Sequence, residues 1–336
     1  YIPVWDGELY LEFHRGTYTS QAWNKKMNRR MEFVLAETEW LATQAWLAGG
    51  TYCREKLTEG WQTLLRNQFH DIIPGSSIHE VYEDCRLEYG QLEDSLQKLQ
   101  AGSISTLAAP EKNSYTFWNF GSFARTDEVK IPETRDGYFL DGEGKRLQAQ
   151  KTQDGYWVKI SLDSLATAVI HFEEAPWVDR AKNSPFVWKP EARKLQTPHY
   201  IAEWNADGEF IRLFDRENER EVFPAGVCAN VLEIYEDKPL NFDNCDVDLF
   251  HLLKHENLTP EGSPELISEG TLRLVLRFRY RYHHSHFEQD VIFHADSRRI
   301  DFETRAEWHE KHRLLKAAFP AEIRTTKATY DIQCGY

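Results

Sequence analysis

The sequence predicts an α+β protein of two parts: a three-helix antiparallel bundle over residues 1–108, then a large antiparallel β-sandwich over residues 109–336. Three observations predict it. The first hundred residues carry apolar side chains at a three-to-four-residue rhythm, the period of helices with one buried face. After Ala108-Ala109-Pro110 the texture changes to short runs rich in Val, Ile, Phe, Tyr and Trp, punctuated by turn pairs such as Asp141-Gly142, Asp154-Gly155 and Asp207-Gly208. With 336 residues, 41% of them hydrophobic, the chain can also fill more than one core.

A short extended lead, Leu9 to Phe13, precedes a turn at Gly16, and Thr19-Ser20 offers an N-cap for a long helix. Trp23, Met27, Met31, Val34, Leu41 and Ala45 form its buried face, and Lys25, Lys26, Arg29, Arg30, Glu32 and Glu39 mostly fill the other. Gly49-Gly50 ends it. A second helix spans about Cys53 to His70, with Trp61, Leu64, Leu65 and Phe69 on one face, and stops at Pro74-Gly75. Ser77 and Glu80 then match a capping box for a third helix, which carries Ile78, Val81, Cys85, Tyr89, Leu92, Leu96 and Leu99 on one face. Short connections make the three antiparallel neighbours.

In the second part, Leu272 to Tyr282 is the clearest strand, with Leu and aromatic residues on one face and Arg273, Arg277, Arg279 and Arg281 on the other. The run Ile300 to Trp308 reverses the charge with Asp301, Glu303 and Glu307, so the two read as neighbouring strands joined by ion pairs. Strands this long suit a sandwich better than a small barrel. The stretch Lys182 to Pro198 has little periodicity and reads as a linker or an edge segment.

A formal charge of −14 excludes a general affinity for nucleic acid or anionic lipid, both of which need a basic surface. No apolar run approaches the roughly 20 residues of a membrane span. The five cysteines are scattered without a C-x-x-C pair, the pattern of reduced thiols in the cytoplasm. An opening on Tyr1 and an end just after a strand-like run suggest a piece cut from a longer protein.

The corner Asn67 to Ile78, NQFHDIIPGSSI, holds a His-Asp pair where two helices meet, read as either a site or a helix-end hydrogen bond. His283, His284 and His286 cluster near a strand end, where His284 and His286 would share one face; a solvated strand end is the simpler reading. WHEKH at 308–312 lacks the H-E-x-x-H spacing that places two histidines one helical turn apart. Neither a phosphate-binding Gly loop nor a G-x-S-x-G turn is present. Asp243, Asp246 and Asp248 lie among aromatics, in a sugar-facing loop or on solvated surface.

The corner resembles the N-Q-F-H-D-I-L-P-G-S segment of the class II α-mannosidases, glycoside hydrolase family 38, with Ile73 as a conservative change. The run from Gly7 to Ala42 is similar to the opening of that family's helical middle domain, particularly its cytosolic and bacterial branch. Segments 195–223, 235–248 and 296–320 resemble its C-terminal β region. The resemblance implies a galactose-mutarotase-like supersandwich, here incomplete, and retaining hydrolysis of α-mannosides or mannose-containing oligosaccharides. It implies that no catalytic carboxylate lies in this stretch, because the family's N-terminal barrel supplies the nucleophile, the acid/base and most metal ligands. By motif match His70 is the metal ligand, and Asp71 binds mannose hydroxyls with His14 and Tyr18 in the same pocket. Zinc or another divalent metal is then the cofactor of the full-length enzyme, with none expected in this stretch alone. Asn244-Cys245 departs from the family's usual D-A-W-D. The partners implied are the mannoside and the N-terminal barrel of the same chain, without nucleic acid or membrane, and homo-oligomerisation stays open. The alternative is a carbohydrate-binding or scaffold module without catalysis.

Overall fold

The computed structural model describes residue 4 and residues 13–108, 111–176, 184–327 and 329. The predicted lead at 9–12 and Cys334 lie outside the described residues.

Helix α1 (Ala22–Leu47), α2 (Arg54–Asn67) and α3 (His79–Leu107) pack around Met31, Leu35, Leu57, Leu64, Tyr89 and Leu96, each almost fully buried. Gly49, at φ +93°, ends α1 as predicted, and the amides of Gly49 and Gly50 close onto the carbonyls of Trp46 and Ala45. The helix starts differ from expectation. The N-cap of α1 is Gln21 at φ 53°, without a side-chain cap, because the Ser20 hydroxyl donates to the carbonyl of Asn244 instead. The N-cap of α3 is Ile78, and no capping box forms, because the Ser77 hydroxyl donates back to the Asp71 carbonyl at 2.5 Å. Helix α2 ends at Asn67, and the chain continues through 68–75 as turns.

Among the described residues the strand region is antiparallel, as expected, and contains two hydrophobic cores. The first lies between sheet β1-β6-β3 and sheet β2-β5-β4, formed by β1 (Ser114–Trp118), β2 (Arg125–Ile131), β3 (Gly137–Leu140), β4 (Ala149–Thr152), β5 (Gly155–Leu162) and β6 (Thr167–Glu174). Phe139, Tyr156, Val158, Ile170 and Phe172 fill it. Trp40 of α1 meets Phe120 edge-on at 5.3 Å and joins the bundle to this unit.

The second core, around Leu195, Trp204, Phe210, Leu274, Phe278 and Phe293, is larger. A five-stranded sheet of β7 (Val187–Lys189), β8 (Lys194–Gln196), β9 (Tyr200–Trp204), β10 (Phe210–Asp215) and β11 (Arg220–Glu221) runs in the order β11-β10-β9-β8-β7. The described part of the predicted linker therefore opens with an edge strand. Against this sheet pack β14 (Glu265–Glu269), β15 (Arg273–Tyr282), β16 (Ser285–His294) and β17 (Ile300–Glu307). A third sheet joins β12 (Val231–Glu236), β13 (His255–Leu258) and β18 (Arg313–Ala318).

The two charged runs are not adjacent. His283-His284 is a two-residue hairpin turn, so β16 lies between β15 and β17. The arginines consequently find carboxylates on three other strands: Arg277 holds Asp290 at 2.6 Å and Glu288 at 3.1 Å on β16, Arg279 holds Glu265 of β14 at 2.8 Å, and Arg273 holds Glu128 of β2 at 2.5 Å. Among the described residues no helix is long and apolar enough to cross a membrane.

Candidate functional site

The corner after α2 is a tight local turn. The amides of Ile72 and Ile73 both donate to the Phe69 carbonyl, Gly75 N–H donates to Ile72, and the Tyr82 hydroxyl of α3 donates to the same Ile72 carbonyl at 3.2 Å. Within this turn His70 and Asp71 project outward, with side chains 78% and 61% exposed and His70 Nε2 3.5 Å from Asp71 Oδ2. Both therefore have lone pairs open to a ligand. Phe69, its ring 4.2 Å from the imidazole, is exposed as well.

Two distant segments meet the corner. The first is the turn that carries His14 and Tyr18, a short 3-10 helix at Arg15–Tyr18 held by Thr17 Oγ1 donating to the His14 carbonyl at 2.6 Å. The second is the loop 242–248 from the strand region. Gly16 N–H donates to Cys245 O at 2.8 Å, the Ser20 hydroxyl donates to Asn244 O at 2.8 Å, and the Asn244 side-chain amide donates to the carbonyl of Gly75. The approach is close enough to require glycine. A Cβ on Gly75, whose φ is +96°, would lie 2.8 Å from Ser20 Cβ, and one on Gly16 would lie 3.0 Å from Asn244 O.

Lys25 completes this junction by donating to the Ser20 carbonyl, and burial pushes its ammonium down to about 8, against an opposing pull from Cys245. Its half-buried place could not be read from a residue that looked like part of a solvated helix face. Sequence reasoning named Ser20 as a helix cap and Asn244 as a departure from the family pattern, but the contact between the two could not be read from residues 224 positions apart.

Asp243, Asp246 and Asp248 shape the loop. Asp248 accepts Leu240 N–H, Asp246 caps Val247 N–H, and Asp243 lies 3.5 Å from His312. The other histidine cluster separates: His283 and His284 form the hairpin turn, and His283 with Ser285 holds Glu310 of WHEKH. His286 stands opposite Arg281 on β15. Among the described residues no three His, Cys, Asp or Glu side chains converge as a metal cage. His70 and Asp71 are a nitrogen and an oxygen donor of the types zinc accepts, so they fit part of a shell.

Two family models match the chain at its two ends. One is the alpha mannosidase middle domain, over residues 12–107, and the other is the C-terminal domain of glycosyl hydrolases family 38, over residues 195–336. The chain belongs to glycosyl hydrolase family 38. Alpha-mannosidase 2C1 of Homo sapiens is 27% identical over 343 residues, and alpha-mannosidase G of Dictyostelium discoideum is 28% identical over 380 residues. Each aligns with 100% of this chain, which spans only 31% and 34% of their lengths. A likeness in fold comes from the crystal structure of an alpha-mannosidase from Enterococcus faecalis, with a TM-score of 0.70 at 14% identity, covering 94% of this chain and 44% of that one. The middle-domain match contains the corner and the His14–Tyr18 turn, and the C-terminal match contains the Asn244 loop. The contact between the family's two domains thus runs through the candidate site.

Proposed function

We propose that this chain is the middle and C-terminal part of a metal-dependent retaining α-mannosidase and forms one wall of its sugar site. The observation that carries the proposal is the exposed His70-Asp71 pair on a tightly bonded turn, inside a family match to mannosidase domains. In this reading His70 donates Nε2 or Nδ1 to a divalent metal, zinc being the first choice, and Asp71 accepts hydrogen bonds from sugar hydroxyls. His14 and Tyr18 line the same pocket. When bound, the metal would supply a Lewis acid for ring hydroxyls. The two carboxyl groups of the retaining reaction come from another part of the protein, one attacking the anomeric carbon and the other protonating the leaving oxygen. The chain alone is therefore expected to be inactive.

That other part also accounts for the apolar surface beside the corner. Phe13, Tyr18, Phe69, Ile78, Leu240 and Phe242 are all more than half exposed, on the segments that converge there or next to them. Exposed apolar patches of this kind mark surfaces that another body covers. We assign that role to the N-terminal barrel of the same protein, and the family division at residue 108 and a cytoplasmic location belong to the same proposal.

The test is a pair of substitutions in the full-length enzyme. His70→Ala should lower metal affinity by at least roughly 10-fold, with activity partly restored by excess metal, since even residues behind the ligands cost roughly 10 to 100-fold. Asp71→Asn should lower kcat/KM by roughly 10 to 150-fold, the worth of a charge-assisted bond, without rescue by metal. Wild-type rates and metal content in both variants would show that the corner is only structural.

A further inference from the structure

We infer that Asn244 is a positioning residue for the His70-Asp71 corner, held out from the C-terminal domain to set the orientation of a turn in the middle domain. The inference rests on the reading of that corner as the sugar and metal wall.

Three features of the junction support it. Asn244 bonds both of the other segments at once, donating from its side-chain amide to Gly75 and accepting the Ser20 hydroxyl at its own carbonyl, 2.8 Å away. Its loop is itself braced: Cys245 and Asp246 N–H both donate to Phe242 O, at 2.7 and 2.9 Å, and Leu240 N–H is held by Asp248. A braced loop fixes whatever it bonds. On the other side, Gly75 cannot move alone, because its amide is bonded to Ile72 and its backbone lies against Ser20. Ile72 is in turn bonded to Phe69, so a displacement of Gly75 reaches the single turn on which His70 and Asp71 stand.

The experiment uses Asn244→Ala and Asn244→Asp, the second keeping shape while presenting a carboxylate that cannot donate to Gly75. In this chain, amide exchange across 69–77 should accelerate by roughly 5-fold, the loss of one hydrogen bond, while the central amides of α1 and α3 keep their rates. In the full-length enzyme, kcat/KM on an aryl α-mannoside should fall about 10-fold, as for other residues behind a ligand, with metal affinity falling alongside and the melting temperature unchanged. Unchanged exchange at 69–77 in both variants overturns the inference. So does accelerated exchange with wild-type kcat/KM and metal affinity, provided His70→Ala is impaired; the site reading then stands and only the positioning role falls. If His70→Ala is also unimpaired, both fall together.

Discussion

Two of the junctions in this molecule are built from opposite materials. The corner junction joins the bundle to the strand region through backbone carbonyls, a serine, an amide and one partly buried lysine, and it leaves His70 and Asp71 in solvent. The junction between the two β cores is made of buried charge. Glu128 of β2 accepts from Arg273 of β15 and pairs with His294 of β16 at 3.3 Å, while His294 also pairs with Asp301 of β17 at 2.9 Å. The Arg273 guanidinium lies 3.6 Å above the Trp157 ring, and the buried Gln150 amide satisfies the Leu272 and Arg273 backbones. The corner is bonded largely onto backbone carbonyls, which leaves the His70 and Asp71 side chains free for the role proposed for them. A junction that only joins two sheets can spend all of its charges internally.

The largest difference should appear when one charge is removed from each. Arg273→Ala leaves Glu128 buried with only His294 as a partner and uncovers Trp157. Breaking a buried pair on one side costs about 3–5 kcal/mol, and the remaining histidine places this case near 3 kcal/mol. Chemical denaturation of this chain followed by tryptophan fluorescence would measure it. Lys25→Met at the corner should cost far less, because burial already opposes the charge of that lysine. Equal losses would end the contrast.

The two junctions should also respond to pH with opposite signs. Glu128 is the main cause that holds the His294 imidazolium above its ordinary value, against burial and with help from Asp301. Its contribution is full below the ordinary histidine pKa of about 6.5 and is lost as pH rises through the raised value. For Glu128 and Asp301, burial pushes the carboxyls up, yet His294 with Arg273 in one case and Arg299 in the other leaves both below their ordinary values. Their contribution is present above about pH 4 and is lost as pH falls through the lowered values. Lys25, pushed down to about 8, binds its proton more weakly folded than unfolded, so its contribution rises with pH between about 8 and 10.4. In denaturant titrations above pH 6.5, His294→Gln should flatten a decline and Lys25→Met should remove an opposing rise above pH 8. Reversed slopes would mean the charges are not placed as described.

What the sequence made legible divides along the same line. Periodicity and turn residues made legible three helices, the end of the first at Gly49, and an antiparallel strand region, because each is a property of neighbouring residues; the second helix stops earlier than expected, at Asn67, and reaches Pro74-Gly75 through turns. Both the β15–β17 pairing and the two cap assignments failed for one reason. Ser20 and Ser77 had better partners far away or behind them, and β16 intervened through a turn of two histidines that carry no strong turn signal. His70 and Asp71 stood out as a motif, but the support that holds them comes from residue 244, and only tertiary contact reveals that. Trp61, Leu64, Leu65 and Phe69 show the limit most plainly. Their spacing marks one face, yet Leu64 is 1% exposed and Leu65 and Phe69 are 61% and 51% exposed.

That split sets the smallest expected effect. Phe69 lies against the His70 ring with 51% of its surface exposed, so Phe69→Ser in this chain should change stability by less than about 0.5 kcal/mol, as exposed positions do. Leu64→Ala, one turn earlier and in the core, is the reference, with an expected loss of about 2–5 kcal/mol. The same serine in the full-length protein should behave differently. If the barrel covers this patch, burial of a large aromatic there is worth about 1.5–3 kcal/mol, and Phe69→Ser should lower the full-length melting temperature while leaving that of the chain alone untouched. Equal, small effects in both contexts would show that Phe69 stays in solvent in the whole enzyme. On the proposed reading its exposure would then serve the sugar wall, and Phe69→Ser should raise KM for an aryl α-mannoside without altering the melt.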